Sequence, residues 1–222
     1  MATITLEDDA PPIVRIVGVT LRRAAADPSL AATIDQMQGT IALRSTKDPQ
    51  AATITFRRGD VFVRHGVAPD ADIVISADLE TMGRPGAPKP KVKGAVPHPK
   101  LALAVAKVLD PPVKDGWRGA VREMWEWAGA RPPHVAWRPA ALRVVCTDGG
   151  PDGGELVFGD PAADLAKGRF EVHGPAWALT AVFTGGDHLG AALVEGRIRG
   201  IGDFPTMNRM VGLLSCLMLG DD

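Results

Sequence analysis

Several features that would point to a particular class of protein are scarce in this sequence. The only cysteines are Cys146 and Cys216, each inside an apolar run, so we expect two buried free thiols rather than a disulfide. The longest apolar runs, residues 101–109 and 211–219, have about half the length that a membrane-spanning helix requires. The N-terminal stretch MATITLEDDAPP is acidic and lacks the apolar segment of a secretion signal, so we expect a cytoplasmic protein.

An excess of one charge sign is also missing. The 25 Lys and Arg residues stand against 26 Asp and Glu residues, which leaves a net charge of -1. No field over the whole chain draws in polyanions, and we expect no nucleic-acid partner. What the sequence does have is 222 residues, a 45% hydrophobic fraction, 25 Gly and 19 Pro. These values predict one large or two small globular domains with many turns.

The sequence offers few residues for catalysis or metal binding. No histidines or cysteines have the spacing of a metal site, so we expect neither a metal nor a cofactor. The weak catalytic candidates are His173, Asp187 and His188, since a carboxylate beside an imidazole can serve in acid–base chemistry. Asp187 follows two glycines, however, and helix capping is the favoured interpretation of this residue.

Glycine-rich segments raise the question of a phosphate-binding loop. The cluster at residues 149–154 lacks the Gly-Lys-Ser/Thr ending of such a loop and lies between two predicted strands, which favours a hairpin turn. Gly196, Gly200 and Gly202 lie on a predicted strand and its exit, without the helix start of a dinucleotide-binding fingerprint.

In the first half, a helical spacing of apolar residues gives way to alternation after Gly39. Pro11-Pro12 and Asp27-Pro28 open two predicted helices. The alternation then predicts an antiparallel meander, whose inward residues are Ile41, Leu43, Ile54, Phe56, Val61 and Val63. The remaining predicted elements are a strand at 72–77, a short helix near 78–82, a short strand at 91–94 and a helix at 101–109.

The second half repeats this order. The predicted elements are strands at 142–146 and 155–158, a strand with Phe170 and Val172, helices ending at 183 and beginning at 187, a strand at 197–200 and a helix at 204–219. Both halves place a basic-apolar-basic-Gly motif before an apolar helix, KVKG at 91–94 and RIRG at 197–200. This parallel predicts an internal duplication. The expected domains are residues 1–110 and 140–222, joined by a helical connector at 111–139 whose three tryptophans, Trp117, Trp125 and Trp127, hold the modules together.

These motifs resemble the sterol-carrier-protein type-two family of small lipid-binding domains. The resembling stretches are residues 39–109, with GTIALRSTKDPQAATITFRRGDVFVRHG and KVKG, and residues 142–219, with GRFEVHGPAWAL and MVGLLSCLML. The resemblance implies an α+β fold of two modules, each an antiparallel sheet covered on one face by helices. The first half departs from the family where GRPGAPKPK replaces the helix that precedes the KVKG strand.

The resemblance also implies a function, which is non-catalytic binding or transfer of a sterol, fatty acid or acyl-CoA. The second module is the better candidate for the cavity. The residues expected to line it are Phe170, Val172, Phe183, Leu189, Leu193, Ile198, Met207, Met210, Leu214 and Leu217. Thioethers on the last helix suit a wall that adapts to irregular ligands.

Two other functions stay open at this point. The same apolar faces could form solid cores in an interaction module, with the C-terminal helix as a homodimer seam. An enzyme recruited onto the fold could use His173 with Asp187 or His188 on a hydrophobic substrate. A basic stretch, made of Arg84, Lys89, Lys91, Lys93 and Lys100, is either a solvated edge or a transient membrane contact, and the solvated edge is favoured.

Overall fold

The fold was obtained as a computed structural model, which describes residues 2–79, 81, 86–110, 113–133 and 136–219. The chain divides into two units, residues 1–112 and 113–222. Each has its own sheet and its own apolar core. Arg84 and His134 lie outside the described residues, as do residues 80 and 82 of the short helix predicted near 78–82. Residues 78, 79 and 81 are described and are not helical, so that prediction is wrong for them.

The first unit combines a sheet with helices on one face. Its strands are β1 (Thr3–Leu6), β2 (Gln38–Ser45), β3 (Ala51–Arg57), β4 (Asp60–His65), β5 (Ile73–Ala77) and β6 (Lys91–Lys93). Its helices are α1 (Pro12–Ala26), α2 (Pro28–Gln36) and α3 (Pro99–Leu109). Proline stands at the start of each helix, where the missing N–H costs nothing. Asp27 caps α2, since its Oδ1 accepts from the backbone N–H of Ser29 at 2.8 Å.

The sheet of the first unit, hereafter sheet A, has the strand order β1-β4-β3-β2-β5-β6. The predicted antiparallel meander is confirmed for β2, β3 and β4. The sheet as a whole is mixed rather than antiparallel, because β5 returns parallel to β2 and β1 lies parallel to β4. The alternating residues predicted to face inward all join one core with the buried faces of α1, α2 and α3.

The second unit has a smaller sheet, hereafter sheet B. Its strands are β7 (Ala141–Cys146), β8 (Gly154–Gly159), β9 (Arg169–Gly174) and β10 (Arg199–Ile201). Its helices are α4 (Gly116–Gly129), α5 (Ala176–Phe183), α6 (Leu189–Val194) and α7 (Phe204–Leu219). The strand order is β10-β9-β7-β8, with β7 and β9 parallel and the other pairs antiparallel. The α+β class and two sheet-and-helix units are therefore confirmed.

The two sheets share one pairing order. In sheet A, β3-β2-β5-β6 pair as antiparallel, parallel and antiparallel neighbours, and β8-β7-β9-β10 do the same in sheet B. Each series ends in a helix, and the spacing from Gly94 to Pro99 equals that from Gly200 to Pro205. The helices α5 and α6 between β9 and β10 have no counterpart among the described residues between β5 and β6.

Within the described residues, no helix combines the length and the apolar character needed to cross a membrane.

Candidate functional site

The interior of the second unit brings the ten predicted lipid-contacting residues together. They come from β9, α5, α6, the residue before β10, and α7, and all belong to one apolar cluster. Seven are buried, namely Phe170, Val172, Phe183, Leu189, Ile198, Met210 and Leu214. Leu193, Met207 and Leu217 are partly buried and pack against the others. The cluster thus reaches the surface of the unit along α6 and α7.

Side chains fill this interior. Phe170 and Met210 are 0% exposed and Leu214 is 2% exposed. Two depressions, of about 400 and 310 Å³, lie on the other faces of sheet A and sheet B, and none of the ten residues lines them. A ligand that enters between sheet B and its helices must therefore displace side chains of the cluster.

Two glycines make room for the ring of Phe170. A Cβ at Gly202 would lie 2.7 Å from Cδ2 of Phe170, well inside van der Waals contact. A Cβ at Gly200 would lie 3.1 Å from Cδ2 of Leu193 and 3.3 Å from Cζ of Phe170. In the sequence, these glycines formed only an incomplete match to a dinucleotide-binding motif. Their physical role is close approach of the backbone to a buried ring.

Helix α4, which lies in the segment predicted as a connector, belongs to the apolar cluster of the second unit. Trp117, Val121, Met124 and Ala128 are buried in the core of the second unit, and the Trp117 indole N–H donates to the carbonyl of Asp152 at 2.8 Å. These four residues recur at helical spacing, so the sequence already indicated that one face of this helix is buried. The segment predicted as a connector therefore supplies one covering helix of sheet B.

His188 has two ring contacts that fix its role. Its Nδ1 accepts from the backbone N–H of Ala191 at 3.3 Å, and its Nε2 lies 3.2 Å from Oγ of Ser215. Because Nδ1 accepts, the proton of the neutral ring lies on Nε2, which then donates to Ser215. The Ser215 hydroxyl in turn donates to the carbonyl of Val211 at 2.7 Å. A general base would need the opposite polarity, with Nε2 accepting the hydroxyl proton.

Asp187 does not hold the ring of His188. Its carboxylate pairs with Arg197 and accepts the backbone N–H of His188 at 2.8 Å. The cap of α6 is His188 rather than Asp187, so the predicted capping residue is wrong by one position. The reason is the ion pair, which occupies the carboxylate and leaves the imidazole to accept the helix N–H.

His173 lies apart from the apolar interior, on the other face of sheet B. Its Nε2 is 3.1 Å from Oε2 of Glu171, which is 5% exposed and also contacts Arg169 at 2.7 Å and Arg143 at 3.4 Å. Burial disfavours the charged carboxylate, but the hydrogen bond with His173 and the two guanidinium charges outweigh it. The pKa of Glu171 is therefore below its ordinary value. His173 thus has a different partner from Asp187 and His188.

The thiols and metal-ligating residues form no reactive group in the part of the chain that is described. Cys146 and Cys216 are free thiols; Cys146 is buried as predicted, whereas Cys216, also predicted to be buried, is only partly buried. Burial raises the pKa of the Cys146 thiol, which keeps it protonated. Among the described residues, no three His, Cys, Asp or Glu side chains are grouped closely enough to hold a metal ion.

The chain is similar to two solved structures. One is a UbiJ-SCP2 ubiquinone synthesis protein, 21% identical, with a TM-score of 0.29 and coverage of 45% of this chain and 91% of that one. The other is a conserved hypothetical protein and possible sterol carrier protein from Thermus thermophilus, 18% identical, with a TM-score of 0.28 and coverage of 49% and 91%. No protein-family model and no curated protein matches the chain.

Proposed function

We propose that this protein binds and transfers a hydrophobic ligand, a sterol, fatty acid or acyl-CoA, between sheet B and its covering helices. The observation that carries the proposal is the single cluster that unites the inner face of β9 with α6 and α7. Its rim is made of flexible side chains, since Leu193, Met207 and Leu217 are only partly buried. Methionine repacks around irregular ligands at small cost, because its three rotatable bonds adapt to the space.

The entry side is proposed to be the edge formed by α6 and the start of α7. Val194 is 89% exposed and Phe204 is 68% exposed, although both are large apolar side chains. Leu193 precedes Val194 and stands beside Gly200 and the ring of Phe170. Rotation of Leu193 and Met207 would therefore open a path from the surface to Phe170 without unfolding of the sheet.

The energetics support weak ligand binding with broad selectivity. Burial of an acyl chain of about twelve carbons gains roughly 10 kcal/mol at about 0.8 kcal/mol per methylene. Association costs about 4 to 15 kcal/mol. The displaced core side chains must also repack. A ligand without polar anchors is thus bound through its length, which suits a carrier that must release it.

The test begins with native mass spectrometry of the purified protein and chemical identification of anything that is extracted from it. Uptake of a fluorescent fatty acid is then compared between Met207→Trp, which narrows the proposed entry, and Leu101→Trp. Leu101 has the same distance in sequence from Gly94 as Met207 has from Gly200, and it packs against the core of the first unit. Reduced uptake in the Met207 variant alone supports the proposal. Equal uptake in both folded variants contradicts it.

A second candidate function is an interaction module with solid cores. The complete burial of Phe170, Met210 and Leu214 favours it, because packed side chains leave no preformed space for a ligand. An empty protein that also fails to take up the fatty acid would support this function. Analytical ultracentrifugation of a Leu217→Asp variant, which changes a partly buried position of α7, then tests whether that helix forms a dimer seam.

A further inference from the structure

The faces of the two sheets that lie opposite the helices differ in how their charges are paired. On sheet B, Arg143 lies 2.6 Å from Glu155, and Glu171 contacts Arg143, Arg169 and His173. The carboxylates and guanidinium groups alternate across neighbouring strands, so the positive charges of this face are balanced locally.

The face of sheet A opposite the helices carries a set of basic side chains. Its centre is covered, since Ala42 and Thr53 are 0% exposed, and Oγ1 of Thr53 donates to the carbonyl of Gly66 and accepts the N–H of Ala68. The register places Lys91, Ser76 and Arg44 in one row and Lys93, Val74, Ala42, Thr53 and Arg64 in the next, all on the side opposite the core. Arg57 belongs to the same face. The five basic residues, hereafter the cationic face, are Arg44, Arg57, Arg64, Lys91 and Lys93, and all are exposed.

No ion pair joins the cationic face to a carboxylate among the residues that the structure describes. Arg44 donates to Oγ of Ser76 at 2.8 Å, and the Arg57 guanidinium lies 5.8 Å from the ring centroid of Phe62. The carboxylates that share the face are Asp60, opposite Arg57, Glu7, whose Oε1 accepts from the backbone N–H of His65, and Asp70, so three carboxylates stand against the five cations. The face thus has an excess of positive charge.

A depression of about 400 Å³ lies in this face. Arg57, Arg64 and Phe62 line it, together with the carboxylates of Glu7 and Asp70. Phe62 is 44% exposed there, an apolar ring between two guanidinium groups. The net charge of the whole chain is -1, so carboxylates elsewhere in the chain balance the cations of this face.

We propose that the cationic face docks on a membrane surface rich in anionic phospholipids. The charges are spread over a sheet and so match a planar array of headgroups, and each one near such a surface adds to the attraction. A single-stranded nucleic acid fits less well, because its binding surfaces stack bases on several aromatic rings. Phe62 is the one aromatic on this face in the described strands, and the chain contains no tyrosine. Docking here does not depend on ligand uptake by the second unit.

The test measures sedimentation of the full chain with vesicles of phosphatidylcholine alone and with about 30 mol% phosphatidylserine added. The face variant is Arg64→Gln/Lys91→Gln, whose side chains make no hydrogen bond or ion pair in the described structure. The matched control is Lys100→Gln/Lys107→Gln on α3, which removes the same charge from the helical side of the same unit. Binding of the wild type is expected only with phosphatidylserine. It should weaken by roughly 25-fold in the face variant, at roughly fivefold per cation, and by less than about twofold in the control.

The proposal is overturned if the wild type ignores the anionic vesicles, or if both variants lose binding equally. It is also overturned if a single-stranded oligonucleotide, but not the vesicles, binds with the same dependence on Arg64 and Lys91. Fatty-acid uptake is measured on the same samples. Vesicle binding without uptake would contradict the proposed ligand site alone, and uptake without vesicle binding would contradict the cationic face alone.

Discussion

His188 and Ser215 join two helices that cover the interior of the second unit. Nε2 of His188, at the start of α6, lies 3.2 Å from Oγ of Ser215 in α7. The other ring nitrogen accepts the N–H of Ala191 and so caps α6. One imidazole therefore fixes the start of α6 and its position against α7. Both helices contribute residues to the proposed ligand site.

Replacement of this imidazole should loosen α6. His188→Ala removes a helix cap and a hydrogen bond between helices, each of which contributes about 1 kcal/mol. We expect the free energy of unfolding to fall by about 2 kcal/mol, as measured by urea denaturation. Ser215→Ala keeps the cap and should cost about half as much. A larger effect for Ser215→Ala than for His188→Ala would contradict this assignment of roles.

The sequence predicts local elements better than it predicts their partners. The helix predicted at 204–219 is found as Phe204–Leu219, because its proline start and helical apolar spacing are local signals. The parallel pairing of β7 with β9 could not be predicted from such local signals. Strands that are not consecutive pair through crossovers, and the direction of that pairing depends on the intervening elements.

In the candidate site, too, the sequence predicts local elements better than it predicts contacts between distant residues. The apolar residues of β9 and α7 could be named from their periodicity, and the structure places them in one cluster. The imidazole of His188 could not be assigned, because its partners are a helix N–H and the distant Ser215. The strand β1 was also missed. Its residues alternate in burial, but the acidic segment that contains them gave no sign that β4 would accept a parallel neighbour.

The buried carboxylate of Glu171 should make stability depend on pH. Glu171→Gln removes charge-assisted hydrogen bonds, and we expect a loss of about 2 kcal/mol at pH 7. The folded-state pKa of Glu171 is lowered, so its contribution is complete above the ordinary value of 4.5 and is lost as the pH falls through the folded-state pKa. The two proteins should therefore converge in stability under acidic conditions, which urea denaturation at several pH values would measure.

The control for this prediction is Glu155→Gln. The Glu155 side chain is 52% exposed, and a surface ion pair contributes about 0 to 1 kcal/mol. If Glu155→Gln is as costly as Glu171→Gln, or if the difference between wild type and Glu171→Gln persists in strong acid, the buried carboxylate is not the source of the effect.

The two units should fold separately. Each has its own sheet and apolar cluster, and the division falls between residues 112 and 113. We expect fragments 1–112 and 113–222 each to show cooperative urea unfolding and circular dichroism typical of an α+β protein. Fragment 1–90 lacks β6 and α3, whose Val105 and Val108 are buried in the first core, and should be unfolded. A fragment 113–222 that remains unfolded would show that the second unit needs the first.

The close contact between Gly202 and the ring of Phe170 allows a test of how tightly the interior of the second unit is packed. A Cβ at Gly202 would lie 2.7 Å from Cδ2 of a ring that is 0% exposed, so Gly202→Ala must displace that ring or the strand end beside it. We expect a loss of about 1–3 kcal/mol in the free energy of unfolding. Gly212→Ala is the matched control, because no atom lies within 4 Å of a Cβ there and the residue is in α7. An exposed helical alanine should instead stabilise by about 1 kcal/mol. Equal stabilities of the two variants would mean that Phe170 moves freely, and the interior would then be open enough to admit a ligand without displacement of its core.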